Sequence, residues 1–263
     1  VPGPIREKQD EESGMMLRSP VMGEFMGTFM LLLLGDGVVA ACLLKRTKAN
    51  SSGSEGSRWL VITTGWALAV LCGIFTANLF GSPEAHINPA ITLALAMKTG
   101  NFQNMLPFLG AQVAGAFLAA AVVWIFYWPH WKVTEDAGAK LAVFSTGPAI
   151  RSYGWNLLSE IIATFVLVIV AGAMTSKLVL TNGSAAGLTP FLIGCLVWGI
   201  GLGLGATTGY AINPARDFGP RLAHAVLPIA GKGGSDWSYA WVPILGPAIG
   251  AAAAGLVLRV IGG

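Results

Sequence analysis

Asn88-Pro89-Ala90 recurs as Asn213-Pro214-Ala215, once in each half of an apolar chain, and each copy opens a stretch too short to cross a bilayer. Asparagine caps helix N-termini and proline is favoured at the first helical position. Each pair therefore predicts a helix that starts abruptly inside apolar sequence. The short helices expected are Asn88–Met97 and Asn213–Ala225, each about half a membrane thickness at ~1.5 Å per residue. Two such starts can meet at mid-membrane and frame a pore.

Around these motifs the chain is 54% hydrophobic and only 11% charged, with a mean hydropathy of +0.66. That balance lies outside the soluble range and belongs in lipid. Apolar runs long enough for a ~30 Å core fall near Val21–Leu44, Trp59–Phe80, Met105–Trp128, Trp155–Leu180, Leu188–Thr208 and Ala240–Ile261. No segment alternates with period two, which excludes a β-barrel. The expected class is an all-α membrane protein with six transmembrane helices plus two re-entrant half-helices. The 35 glycines suit close helix packing in lipid. Lys98-Thr99-Gly100 is a stop signal for the first half-helix.

The two halves repeat. Glu24-Phe25-Met26-Gly27-Thr28-Phe29 answers Glu160-Ile161-Ile162-Ala163-Thr164-Phe165, and Gly110-Ala111-Gln112 answers Gly246-Pro247-Ala248. Three spans plus a half-helix occur twice, and because three is odd the second copy enters from the opposite side. The result is an inverted repeat about an axis in the membrane plane. The expected organisation is a polar tail over residues 1–20 and a single channel domain over 21–263. Its repeats cover about 21–128 and 155–261 and are joined by an extramembrane loop. Val1 to Gly14 is polar and is expected not to be a secretory signal. Lys45, Arg46, Lys48 and Arg58 crowd the first connection, so charge alone leans towards an N-terminus outside.

Each Asn-Pro start presents unpaired backbone N–H groups and about half a positive charge. A passing hydroxyl can offer lone pairs to both ends, whereas a cation or hydronium meets a barrier. Arg216 follows the second motif, and arginine at membrane depth is by default functional. Asp217 beside it either tethers the half-helix to a neighbouring loop or is a solvated charge at the pore mouth. Glu24 and Glu160 occupy matched depths. They read as acceptors for the free N–H groups of the re-entrant loops, or as a proton relay in a proton-coupled secondary transporter. His86 is either a hydrogen-bonded buried side chain or a pH gate. Cys42, Cys72 and Cys195 lie in apolar runs without metal spacing. No metal or cofactor is expected, and no nucleophile–base pair suggests an enzyme. A net charge of +3 gives no support for nucleic-acid binding.

At these residues the chain resembles the aquaporin superfamily (major intrinsic proteins), in its aquaglyceroporin branch, typified by bacterial glycerol uptake facilitators. The markers are Ala85-His86-Ile87-Asn88-Pro89-Ala90 and Gly209-Tyr210-Ala211-Ile212-Asn213-Pro214-Ala215-Arg216-Asp217-Phe218-Gly219-Pro220. Asp217 after the arginine is the glycerol-branch feature. The resemblance covers nearly all of Val21–Ile261. It implies a homotetramer in the cell membrane with one pore per subunit, both termini cytoplasmic, and a filter on the extracellular side. By family position the filter is Trp66, Tyr210 and Arg216, with Gly201 leaving room for the two rings. The usual glycerol filter has phenylalanine where this chain has Tyr210. The implied function is a passive channel for glycerol and other small uncharged solutes, with water, that excludes ions and protons. A water-selective channel and a channel for small neutral acids such as protonated lactic acid are the alternatives on the same fold.

Overall fold

The structure is a computed structural model that describes residues 18–50, 55–183, 185 and 187–262. Residues 1–17 of the expected tail lie outside the described residues. Ten α-helices occur among the described residues: α1 (Pro20–Leu43), α2 (Glu55–Leu79), α3 (Pro89–Thr99), α4 (Met105–Phe126), α5 (Trp128–Val133), α6 (Ala137–Phe144), α7 (Tyr153–Thr175), α8 (Leu188–Leu204), α9 (Pro214–Val226) and α10 (Val242–Ile261). Six of them, α1, α2, α4, α7, α8 and α10, are long and apolar enough to cross a membrane. The protein is a multi-pass membrane protein.

Capping chemistry decides where the half-helices begin. The Asn88 side chain accepts from the Ala90 N–H at 2.8 Å, and Asn213 accepts from Ala215 and Arg216 at 3.0 and 3.2 Å. Pro89 and Pro214 occupy the first turn, where a missing N–H costs nothing. Gly100, at φ 79°, ends α3 in the left-handed conformation that glycine adopts without strain.

The edges differ from the sequence reading in several places, and α2 begins at Glu55 rather than Trp59. α7 stops at Thr175 rather than Leu180, because Ser176 leaves the helical conformation and Ser176–Leu180 closes into a turn. α8 gives way at Gly205–Thr207 to a tighter 3₁₀ turn. The connection between the halves carries α5 and α6, which were expected only as loop. Pro129 lies in the first turn of α5, and Asp136 caps α6 by accepting from Gly138 and Ala139.

Packing follows the same pattern in both halves. α1 lies against α2 and α4, and α7 lies against α8 and α10. Each half-helix packs on the last span of the other half, α3 on α10 and α9 on α4. Backbones meet at glycine: a methyl group at Gly115 of α4 would overlap the Phe25 carbonyl oxygen of α1, and one at Gly250 of α10 would overlap that of Ile161 in α7. Leu60, Phe75, Leu106, Ile125 and Val260 point outward, while Glu24, Asp36, Gln112, Glu160, Asp217 and Arg221 are buried. Such a surface suits lipid, where polar groups find partners only inside the bundle.

Candidate pore and filter

The two loops that lead into the half-helices share an uncommon backbone. Ala85 and Ile87 have φ of 44°, and Tyr210 and Ile212 have φ of 38° and 43°. These are the third and first residues before each asparagine. Positive φ is strained for any side chain and most for a β-branched one, at about 1–3 kcal/mol each. The surrounding bonds hold it. Glu24 accepts from the N–H groups of His86 and Ile87 at 2.8 and 2.6 Å, and also from Ser82 Oγ and Gln112 Nε2, both at 2.7 Å. Glu160 accepts from Ala211 and Ile212, both at 2.9 Å. Both carboxylates are shut off from solvent, 0% and 1% exposed, and their oxygens are committed to donors.

The asparagines face each other through the loops. Asn88 Nδ2 donates to the Ile212 carbonyl at 2.8 Å, and Asn213 Nδ2 donates to the Ile87 carbonyl at 2.9 Å. Each amide therefore caps its own helix with oxygen and binds the opposite loop with one N–H. Both asparagines line one cavity. Pro89, Ala90, Pro214 and Ala215 form the first turns behind them. His86 is buried, with Nδ1 3.1 Å from Thr92 Oγ1 and Nε2 2.9 Å from Glu84.

A cavity of about 620 Å³ reaches from Lys98 and Thr175, near the ends of α3 and α7, past Asn88 and Asn213 to Trp66, Tyr210 and Arg216. At that end the Arg216 guanidinium lies over the Trp66 ring, 4.0 Å from its centroid. Trp66 owes its place to Gly35 of α1, because a methyl group there would overlap the indole. Gly201 stands behind Tyr210, where an added Cβ would come within 2.9 Å of the ring, and it does not line the cavity. The room expected from Gly201 for both rings is thus divided among Gly35 for Trp66 and Gly201 and Gly205 for Tyr210. Trp59 meets Tyr210 edge-on at 5.8 Å and donates to the Gly201 carbonyl.

Asp217 is fully buried and accepts from the N–H and hydroxyl of Thr146, at 2.8 and 2.7 Å, tying α9 to the loop after α6. Arg221, one turn on, pairs with Asp217 at 2.7 Å and donates to the carbonyls of Thr146, Ser235 and Asp236. Sequence reasoning missed Arg221, Gln112 and Asp36. Membrane depth flags Arg221 and Asp36 by the rule that singled out Arg216.

The chain has clear relatives. The family description Major intrinsic protein matches residues 12–258. Glycerol uptake facilitator protein 3 of Lactiplantibacillus plantarum is 51% identical over 253 residues, which span 94% of this chain and 100% of that one. The glycerol uptake facilitator protein of Streptococcus pneumoniae strain R6 is 50% identical over 242 residues, 92% of this chain and 98% of that one. Among solved structures, the X-ray structure of the aquaglyceroporin from Plasmodium falciparum superposes with a TM-score of 0.76 at 25% identity, covering 91% of this chain and 94% of that one. Agreement of sequence and fold over nearly the whole length leaves one assignment, and the chain belongs to the major intrinsic protein family.

Proposed function

We propose that this protein is a passive channel that equilibrates glycerol, with water and other small uncharged solutes, across the cell membrane while refusing ions and protons. The observation that carries this reading is the crossed pair of bonds from Asn88 to Ile212 and from Asn213 to Ile87, which sets two helix N-termini against each other in the wall of one cavity. Both ends carry partial positive charge, and each asparagine amide has an N–H beyond the one in its crossed bond, so a hydroxylic solute is received and a cation repelled. At the narrow end, Trp66 and Tyr210 offer apolar surface to the carbon edge of a polyol, and Arg216 offers donors to its hydroxyl edge. Relatives named glycerol uptake facilitators support the choice of solute. The hydrogen bonds that occupy Glu24 and Glu160 favour a loop-holding role for both over a proton relay.

The working unit is a homotetramer with both termini cytoplasmic and the Arg216 end of the pore extracellular. Stopped-flow light scattering on proteoliposomes tests the transport reading with water, glycerol, urea and lactic acid at two pH values. A channel gives glycerol flux that does not saturate and has weak temperature dependence. Saturation, or accumulation driven by a proton gradient, refutes it. Light scattering of the detergent-solubilised protein reads the subunit number.

A further inference from the structure

Most buried charges in the spans are met by bonding partners. Glu24 and Glu160 hold loop N–H groups, and Asp217 and Arg221 hold each other and the Thr146 loop. Asp36, in the second half of α1, is different. It is fully buried, and neither carboxylate oxygen has a hydrogen-bond partner. Arg216 Nη1 is likewise buried without one. The two groups face each other, with Nη1 3.5 Å from Asp36 Oδ1.

A guanidinium does not give up its proton in a protein, so the charge on Arg216 needs a counter-charge near it. Asp217, its sequence neighbour, is already cancelled by Arg221. That leaves Asp36, and α1 serves the filter twice over: Gly35 admits the Trp66 ring and the next residue supplies the negative charge behind the arginine stacked on it.

The need for that charge follows from the rest of the pore. Arg216 and two half-helix N-termini, each worth about half a positive charge, give the lumen a positive potential. Such a potential repels cations but attracts small anions. We propose that Asp36 is a positioning and specificity-determining residue, a buried counter-charge that holds Arg216 against Trp66 and denies small anions the pore. This rests on reading the Arg216 end as the narrow part of a channel.

The test measures chloride flux and glycerol flux in proteoliposomes of the whole protein. Asp36→Asn should raise the chloride-to-glycerol permeability ratio at least about tenfold, since a unit charge 3.5 Å from the cavity-lining Arg216 acts strongly at low effective dielectric. Asp36→Glu should keep the ratio within about twofold of the unsubstituted protein. In an Arg216→Gln background, Asp36→Asn should move the ratio by less than about threefold, because the aspartate acts through the arginine. An unchanged ratio in Asp36→Asn, or the same rise in both backgrounds, overturns the proposal. If Asp36→Asn does not assemble, Asp36→Ser carries the same expectation, and failure of both to assemble makes Asp36 a folding residue and overturns the selectivity role. Absence of glycerol flux in the unsubstituted protein defeats the channel reading instead, while chloride flux in the variants still scores Asp36.

Discussion

Tyr210 places its hydroxyl against α8, buried and without a partner, instead of in the lumen. An unsatisfied buried hydroxyl costs about 1–3 kcal/mol. Tyr210→Phe should therefore raise unfolding stability by about 1 kcal/mol in detergent and leave glycerol flux within about twofold. A fall in stability would show that the hydroxyl has a partner. The paired glutamates make a graded prediction. Glu24 collects four donors, and Glu160 takes two backbone N–H groups and the Thr208 side chain. A glutamine amide would aim an N–H at groups that themselves donate, so Glu24→Gln should cost about 3 kcal/mol or more and Glu160→Gln less. Denaturant unfolding of the two variants, read side by side, checks the order. Both glutamates were legible because the offset of 136 residues that links them exposes the repeat. The same offset carries Asp36 to Gly172, so a reading led by repeats passes over the carboxylate behind Arg216.

Among the elements, the half-helix starts were the most legible, because Asn-Pro fixes both the cap and the first turn. The alternating positive φ before each asparagine was not. Ala85, Ile87, Tyr210 and Ile212 are residues whose local preference opposes that conformation, and bonds from the distant glutamates and from the opposite asparagines hold the two loops in it. α5 and α6 escaped notice because helices of 6 and 8 residues are too short to show a period. The role of glycine at helix crossings was readable from composition alone, and the structure says which glycines matter. Gly115→Ala and Gly250→Ala push a methyl group into a carbonyl oxygen of the facing helix, so each should destabilise the protein by about 1–3 kcal/mol, the range for overpacking. Gly37→Ala and Gly199→Ala meet nothing within 4 Å and should be neutral or slightly stabilising through helix propensity. Thermal unfolding of the four variants separates the two pairs, and equal effects would mean that α1–α4 and α7–α10 are not held at backbone contact.

Across the whole molecule, the face opposite the described chain ends is closed by bonds between segments remote in sequence. Thr146 binds Asp217, Ala149 N–H donates to the Thr207 carbonyl, and Arg151 pairs with Asp236 through Nη1 and Nη2 of its guanidinium. A loop tether at Asp217 was one of two readings of that residue, but its partner Thr146 and the other two bonds were not legible, since loop partners more than 50 residues apart leave no periodic trace. Arg151 and Asp236 join the segment before α7 to the segment before α10, outside the spans. Burial alone would raise the Asp236 carboxyl, but its bonds to Arg151 and Ser238, with the charges of Arg151 and Arg221, outweigh that and hold it below the usual carboxylate value. A carboxyl lowered in the folded state adds stability that is fully present above its unfolded value, about 3.9, and is lost as pH falls through the folded value. The arginine is 44% exposed in its side chain, so solvent screening limits the pair to under about 1 kcal/mol. The expected result is local. Below about pH 4, hydrogen exchange in residues 145–152 and 231–240, corrected for intrinsic rates, should quicken severalfold. Asp236→Asn should show the same loosening already at pH 7 and no further change on acidification. Acid loosening that persists undiminished in Asp236→Asn would assign the pH response to another group. Exchange at the starts of α3 and α9 should stay slow in both proteins at neutral pH, because their caps and crossed asparagine bonds do not pass through the Arg151–Asp236 pair.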